Sequence, residues 1–308
     1  MPGTYPAAPA TLSGDLLTIS RLLQSPTAIS RRLRTFTDLR FTSDQILTQR
    51  FRSSGGAVLY EVSEPIINTR PVESVAPGSG YPHDVPANGA AALAAVQKWG
   101  QAVDLTDEEI TRNVYAGAAV DRALRKLVNS VIKQVDTISL AAISSAVTAT
   151  QVATAAWSAA SGTTMLRDTM AAVAKVIDLN LGYKPDTLLL STTKYAYLAS
   201  DSVVVNMRRR EATDNPVYTG IIDVIAGLTV LAAPASSLPT DDVWIIDSKQ
   251  IGGMADEMPD APGYTVADLA VQTKPIRKDE TDAWIIQGRR LTVPVVQEPG
   301  AGIRITGT

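Results

Sequence analysis

The chain has 308 residues, a formal net charge of −3 and 45% hydrophobic residues, a composition typical of a foldable chain and not of a disordered or polyanion-coating one. It contains no cysteine and a single histidine, His83, which excludes disulfides, thiolate nucleophiles and multi-histidine metal centres. No cofactor is predicted, and the lack of cysteine fits assembly in a reducing compartment.

The N-terminal segment, residues 1–53, is rich in arginine, and the first lysine of the chain is Lys98. Only "GDLLTISRLL", residues 14–23, has the apolar spacing of a short amphipathic helix. The segment lacks the basic and apolar blocks of a signal peptide, so export is not expected. We predict an arm that needs a partner surface.

An extended excursion follows, over residues 54–98. "GAVLYEVSEPI" alternates as a strand does, with Val58, Tyr60 and Val62 on one face, and "ALAAVQKWGQAVDLT" is a second extended segment. Between them "SVAPGSGYPHDVPANGA", residues 74–90, is crowded with proline and glycine and can donate few ladder hydrogen bonds. Because the excursion has too few large apolar side chains for a core of its own, we expect it to lie on another surface.

A long helix is predicted next, beginning at the capping box "TDEE". Thr106 is expected to accept a hydrogen bond from the backbone near Glu109 while Glu109 reaches back, and the acidic residues favour the positive end of the helix dipole. An apolar stripe recurs at three- and four-residue spacing through Ile110, Val114, Gly117, Leu124, Val128, Val131, Val135, Ile138 and Ala142, interrupted at Asp121. Unbroken until about Ser144, the helix is a rod of roughly 55 Å.

The run from Thr137 to Leu166 carries no charge and, at about thirty residues, is long enough to span a bilayer. It consists mostly of alanine, serine and threonine, with few large apolar side chains to supply transfer free energy. A buried helix end followed by a linker is therefore favoured over a membrane span.

A mixed α/β pattern begins at Thr150. "TTMLRDTMAAVAKVIDLNLG" predicts an amphipathic helix closed by Gly182, "DTLLLS" a buried strand and "TKYAYLAS" a short helix. "IIDVIAGLTVLAAP" and "DDVWIIDS" predict further buried strands. The last stretch, residues 264–305, indicates strands with charged turns, which we expect to form a sheet beside the long helix. The whole pattern predicts an α+β fold.

Three stretches, taken with this order of parts, carry a resemblance. They are "AVLYEV" leading into the excursion, the turn Gly227-Leu228-Thr229-Val230 before Pro234, and a charged turn before a hydrophobic strand ending in Arg290. Over nearly the whole chain the pattern resembles the tailed-phage major capsid protein of the Hong Kong 97 type. The resemblance implies the following parts: an N-terminal arm (1–53), an extended loop (54–98), a peripheral domain with the spine helix (99–148), an α/β axial domain (149–264) and the C-terminal strands of the peripheral domain (265–308).

The resemblance also implies a function and partners. The expected shell is an icosahedral array of pentamers and hexamers that encloses non-specifically bound double-stranded DNA. Each extended loop would pack on a neighbouring copy, without a membrane. The protein would assemble in the host cytoplasm and reside in the virion, with a portal, a separate scaffolding protein and a cement protein as further partners. Some members of the family join subunits through a loop lysine; the loop from Ser54 to Gln97 has none, so non-covalent particles are expected.

Candidate contact residues follow from the resemblance. Intersubunit contacts are predicted at Tyr81, His83, Asp84, Arg208, Arg209, Arg210, Arg277, Lys278, Asp279, Glu280 and Asp282. The three consecutive arginines would lie near a capsomer centre, with a plain surface turn as the alternative. The charged turn "RKDETD" would meet its symmetry mates in a ring of salt bridges, unless it is an ordinary solvated loop. Inner-wall DNA contact is predicted at Arg31, Arg32 and Arg34, although pairing with acidic neighbours would explain them equally well.

Three other functions stay open at this point. An encapsulin-type nanocompartment has the same fold, but the long arginine-bearing arm argues against it. An enzyme is disfavoured, because His83 has no nucleophile and acid arranged around it in the sequence. A minor virion protein, such as a decoration or connector protein, would not need this whole ordered pattern.

Overall fold

A computed structural model describes residues 41–68, 70–85, 87–112, 116–159, 164–201, 203–204, 222–266 and 270–308. The chain forms two compact units. Among the described residues, the first unit takes Lys98–Ile132 and Pro259–Arg290. The second takes Phe41–Gln97, Lys133–Met258 and Leu291–Thr308. The helix predicted at residues 14–23 lies outside the described residues.

The secondary structure mixes helices and strands along the whole described chain. The helices are α1 (Thr42–Ile46), α2 (Asp107–Arg112), α3 (Ala116–Ala146), α4 (Met165–Ile177) and α5 (Thr192–Ser200). The strands are β1 (Gln49–Arg52), β2 (Ala57–Val62), β3 (Ala90–Ala95), β4 (Gln97–Thr106), β5 (Thr150–Val152), β6 (Thr187–Ser191), β7 (Val224–Ile225), β8 (Leu228–Ala233), β9 (Val243–Ile246), β10 (Gly252–Asp256), β11 (Thr265–Val266), β12 (Gln272–Lys278), β13 (Ala283–Val296) and β14 (Gly302–Thr306). Short 3₁₀ helices span Ala235–Ser237, Asp279–Thr281 and Pro299–Ala301.

The predicted capping box begins α2. The backbone N–H of Glu109 donates to Thr106 Oγ1 at 3.2 Å, as the sequence predicts. The long helix is also confirmed: α3 alone has 31 residues, or about 46 Å at the usual rise per residue. Its predicted apolar stripe is buried from Leu124 to Val135, but Ile138 is only half-buried and the buried face moves to Leu140 and Ile143.

The uncharged run after Thr137 divides between elements. The end of α3 takes its first part, up to Ala146, and β5 follows at Thr150–Val152. After β5, Trp157 is buried, with only 1% of its surface exposed. In the part of the chain that the structure describes, no helix has both the length and the hydrophobicity to cross a bilayer.

The first unit packs strands against the first half of α3. β12 pairs antiparallel with β11 and with residues 283–289 of β13, and β4 pairs with β13. On this sheet Gly288 faces the helix, where an added Cβ would lie 2.7 Å from Leu127 Cδ2. Glycine at this position therefore lets the helix approach the strand closely, and the sheet predicted beside the long helix is confirmed.

The second unit contains a six-stranded mixed sheet in the order β5-β14-β9-β6-β8-β7. Every residue of β6 and β9 is buried, as predicted from "DTLLLS" and "DDVWIIDS". The stretch "IIDVIAGLTVLAAP" contains strands and a turn at Gly227, as predicted, but only some of its strand residues are buried. It forms the antiparallel pair β7 and β8, because Ala226 and Gly227 both adopt positive φ and reverse the chain.

The helix α4 packs on β5 and β14 of this sheet. The prediction that Gly182 closes this helix is wrong, since α4 ends at Ile177. Asn180, with φ of 54°, is the first residue of left-handed conformation after it, and Gly182 follows with φ of 81°. Two residues of left-handed conformation, Asn180 and Gly182, thus lie between the helix and β6.

A buried carboxylate anchors α1 in the second unit. Asp136, on α3, accepts hydrogen bonds from the backbone N–H of Thr42 at 3.1 Å and of Ser43 at 3.0 Å, and from Ser43 Oγ at 2.7 Å. It therefore satisfies the free backbone donors at the start of α1. Burial raises the pKa of Asp136 above its ordinary value, although the hydrogen bonds from Ser43 and Thr42 oppose this shift.

Candidate assembly surfaces

The excursion begins and ends in a two-stranded antiparallel sheet formed by β2 and β3. Its inner face follows the predicted alternation: Val58 and Tyr60 pack against Ala94 and Val295. On the outer face Leu59 lies directly opposite Leu93, and these side chains are 74% and 69% exposed. One side of the pair is thus anchored, and the other presents aliphatic side chains to solvent.

The tip of the excursion, residues 63–89, contains no helix or strand among its described residues. Internal bonds shape it instead: the backbone N–H of Arg70 donates to Asp84 Oδ2 at 2.9 Å, and that of Ser79 donates to Ala76 O at 3.0 Å. An ion pair of 3.0 Å joins Arg70 to Glu73. These bonds curve the tip around an open concavity of about 730 Å³.

Large apolar side chains of the tip face solvent. Val72 is fully exposed, and the exposed group also includes Ile66, Ile67, Tyr81 and Val85. The predicted contact residues lie among them: Tyr81 is 78% exposed and His83 is exposed. Asp84 is exposed but accepts hydrogen bonds from the backbone N–H of Arg70 and of Val85. Its carboxylate therefore also shapes the tip, a role that the sequence did not indicate.

The charged turn "RKDETD" is built around an internal ion pair in the first unit. Both Arg277 Nη atoms donate to the Asp107 carboxylate at 2.7 Å, and the guanidinium lies 5.5 Å from the centre of the Trp284 ring. This bidentate pair lowers the pKa of Asp107 below its ordinary value. Contacts within the same chain therefore hold Arg277, the first residue of the turn, in place.

The rest of the turn projects into solvent. Lys278, Asp279, Glu280 and Asp282 are exposed, and the backbone reverses at Asp282, whose φ is 43°. Asp279 and Asp282 also lie near Arg277, at 3.3 and 3.5 Å, but their side chains are 91% and 74% exposed. The turn therefore presents charges of both signs on a rigid base.

Sequence reasoning missed one member of this group. Asp107 was assigned only to the helix dipole, but it is also the partner of Arg277, 170 residues away. Spacing cannot reveal a pair so distant in the chain. The remaining predicted contacts, Arg208, Arg209, Arg210, Arg31, Arg32 and Arg34, lie outside the described residues.

Several solved structures that resemble this chain in fold are phage capsids. The chain aligns with the capsid structure of cyanophage P-SCSP1u at 16% identity and a TM-score of 0.62, covering 86% of this chain and 88% of that one. It aligns with the mature capsid of bacteriophage PhiM1 at 10% identity and a TM-score of 0.60, covering 87% of each chain. A virus-like particle from Pyrococcus furiosus aligns at 12% identity and a TM-score of 0.54, covering 91% of this chain and 96% of that one.

These likenesses confirm the expected Hong Kong 97-type, α+β capsid fold. A comparison with curated protein sequences finds no significant match. The sequence profile of one family, described as phage capsid protein, matches residues 90–305, from β3 to β14. Because that match spans more than two thirds of the chain, the chain belongs to the phage capsid protein family.

Proposed function

We propose that this capsid shell protein is a major capsid protein of a tailed phage, which assembles into pentamers and hexamers of an icosahedral shell around double-stranded DNA. The observation that carries this proposal is the excursion, whose apolar side chains face solvent in a single chain. Exposed apolar groups gathered on one projection are typical of a protein interface. In a closed homo-oligomer, identical copies supply the covering surface.

The structure of the tip supports a surface made for a partner. Ile66 and Ile67 are each 63% exposed, and Val85 is 82% exposed, whereas Val243 and Ile245 on β9 are fully buried. Each large aliphatic side chain that becomes fully buried contributes about 1.5–3 kcal/mol. Repeated over every copy in a shell, such modest contributions add up to a stable particle.

The charged turn is the second surface in this proposal. Lys278, Asp279, Glu280 and Asp282 would form a ring of salt bridges with symmetry-related copies, on the base that the Arg277–Asp107 pair holds rigid. A single exposed ion pair contributes only about 0–1 kcal/mol, so the ring would act through repetition. Tyr81, His83 and Asp84 would make intersubunit contacts at the loop tip.

The remaining assignments extend the proposal to the whole particle. Arg208, Arg209 and Arg210 would lie near the capsomer centre, and Arg31, Arg32 and Arg34 would contact DNA without sequence specificity. The arm, extended loop, peripheral and axial domains keep the boundaries predicted above. Separate scaffolding, portal and cement proteins would complete the virion, after assembly in the host cytoplasm.

The test removes the excursion tip. We expect the purified chain to form closed shells or capsomer-sized oligomers in electron microscopy and sedimentation. A variant in which residues 64–88 are replaced by a short Gly/Ser link should keep the far-UV circular dichroism of the body and stay monomeric. A variant in which the tip keeps its length but Val72 alone becomes serine serves as the mild control.

Two results decide against the proposal. A wild-type chain that stays monomeric at high concentration would contradict assembly through the excursion. Shells isolated from cells that hold protein cargo and no DNA would instead indicate an encapsulin-type compartment. Shells that hold double-stranded DNA would support the capsid assignment.

A further inference from the structure

The root of the excursion consists of Val62, Ser63 and Glu64, where the chain leaves the end of β2 and enters the tip. Ser63 has a φ of 55°, a conformation that residues other than glycine seldom adopt. Its backbone N–H donates to Gln297 O at 2.9 Å. The next N–H, of Glu64, donates to Glu298 Oε1 at 3.2 Å. Consecutive backbone donors therefore hold an unusual bend against the segment that follows β13.

Glu298 is itself held on its other oxygen. The Tyr183 hydroxyl donates to Glu298 Oε2 at 2.8 Å, and the Tyr183 side chain is almost fully buried. Burial and the adjacent Glu298 carboxylate raise the pKa of Tyr183 above its ordinary value, so the hydroxyl keeps its proton and continues to donate. The backbone N–H groups of Gln297 and Glu298 both donate to Ile251 O. One carboxylate thus connects the root to a fixed tyrosine.

The segment that returns from the tip to β3 passes beside the root at Gly89. A Cβ added at Gly89 would lie 2.7 Å from Val62 O and 3.3 Å from the backbone nitrogen of Glu64. Only glycine allows so close an approach of the two segments. The outgoing and returning segments of the excursion are therefore packed together at the root, so a contact that orients Glu64 orients both segments.

Beyond the root, no described residue of the tip makes another polar contact with the body. Among the described residues from 65 to 88, every hydrogen bond and ion pair joins residues of this segment to one another. The direction in which the tip projects is therefore inherited from the root and from the β2–β3 pair.

We infer that Tyr183 and Glu298 are positioning residues, which set the direction of the excursion by holding the Glu64 N–H on a shared carboxylate. The importance of that direction for assembly depends on the function proposed above, whereas the orientation itself is a property of the single chain. An excursion that left at another angle would present its apolar side chains where no neighbouring copy could cover them.

The test compares two tyrosines. Tyr183→Phe removes the hydroxyl but keeps the ring. Tyr264→Phe is the matched control, because Tyr264 donates a bond of the same 2.8 Å length to Gln287 Oε1 in the first unit. Since the chain has no cysteine, spin labels can be placed at Val72→Cys on the tip and Met170→Cys on α4 alone. Pulsed electron paramagnetic resonance on the unassembled chain then measures the distance from tip to body.

The expected result is a narrow distance distribution in the labelled parent and in Tyr264→Phe, and its loss in Tyr183→Phe. The Glu64 amide should lose protection from hydrogen exchange in Tyr183→Phe only. Circular dichroism should match in all three proteins, and Glu298→Ala, which removes both acceptor oxygens, should reproduce the broadening. Unchanged distributions in Tyr183→Phe and Glu298→Ala would overturn the inference, as would equal broadening in Tyr264→Phe.

The yield of particles is measured as a second, separate test. If the wild type assembles, Tyr183→Phe should give fewer closed shells and Tyr264→Phe a normal yield. A normal yield in Tyr183→Phe despite a broadened distribution would overturn the link between orientation and assembly. If no protein assembles, the proposed function fails, and the distance measurement still decides the positioning role.

Discussion

The strands β6 and β2 lie in the same unit but are stabilised in different ways. β6 has a partner on each side, β8 and β9, and all its residues are buried. β2 pairs only with β3, and one of its faces is half-buried while the other is exposed. The contrast is clearest in two leucines: Leu189 on β6 is 1% exposed, and Leu59 on β2 is 74% exposed.

This difference separates two kinds of stability. The sheet around β6 obtains its stability from contacts within one chain, as an independent domain does. The outer face of β2 and the tip beyond it have their apolar side chains in solvent, so their contacts must come from elsewhere. A substitution should therefore affect folding in the first region and association in the second.

The largest expected effect tests that separation directly. Leu189→Ala leaves a cavity in a fully buried strand and should lower the free energy of unfolding by about 2–5 kcal/mol. The same change at Leu59 removes an exposed side chain and should change it by less than about 0.5 kcal/mol. Chemical denaturation of the unassembled chain measures both.

The comparison sharpens when assembly is measured for the same pair. Leu59→Ala should lower the yield of particles although the monomer is as stable as the wild type. Should Leu59→Ala destabilise the monomer as much as Leu189→Ala, the outer face of β2 would belong to the chain's own core.

A smaller effect is expected at the buried polar contact that anchors α1. Ser43→Ala removes the 2.7 Å hydrogen bond to Asp136, and a bond to a charged group contributes about 1.5–3 kcal/mol. That hydroxyl favours the charged carboxylate, so its loss raises the pKa of Asp136 further in the folded chain. The variant then binds protons more tightly than the wild type when folded.

The sign of the pH dependence follows. The stability difference between wild type and Ser43→Ala should be largest near neutral pH and should shrink as the pH falls through the raised pKa of Asp136 towards its ordinary value of 3.8. Denaturation midpoints at several pH values measure this trend. A difference that grows as the pH falls would show that Asp136 is not the group responsible.

A small effect on the monomer is also expected at the charged turn. Changing Asp279 and Glu280 together to Asn and Gln should alter the free energy of unfolding by about 0–1 kcal/mol, because both side chains are exposed. Particle yield should fall if these charges meet symmetry mates. Asp178→Asn, at an exposed carboxylate after α4, is the control, and a normal yield in the double variant would remove the salt-bridge ring.

Much of the fold could be predicted from local patterns. The cap of Thr106 on the Glu109 N–H, the buried strand β6 and the alternation of β2 depend on neighbours a few residues apart, and the sequence predicts all three. Local spacing also gave the long helix, but it placed Ile138 on the buried face, where the structure buries Leu140. The stripe moved because packing partners, and not periodicity alone, decide which side is covered.

The misses share a physical cause. The contacts of Arg277 with Asp107 and of Glu64 with Glu298 join residues 170 and 234 positions apart, and no spacing rule connects them. The sequence could indicate that the excursion projects, but not what holds its root.

The prolines of the excursion have a further consequence. Pro65, Pro71, Pro77 and Pro82 carry no amide hydrogen, so the segment offers few donors to a strand added along its edge. Exposed aliphatic segments that lack such interruptions are prone to build amyloid fibres. The prolines should therefore disfavour fibrillation of a segment whose isoleucine and valine side chains face solvent.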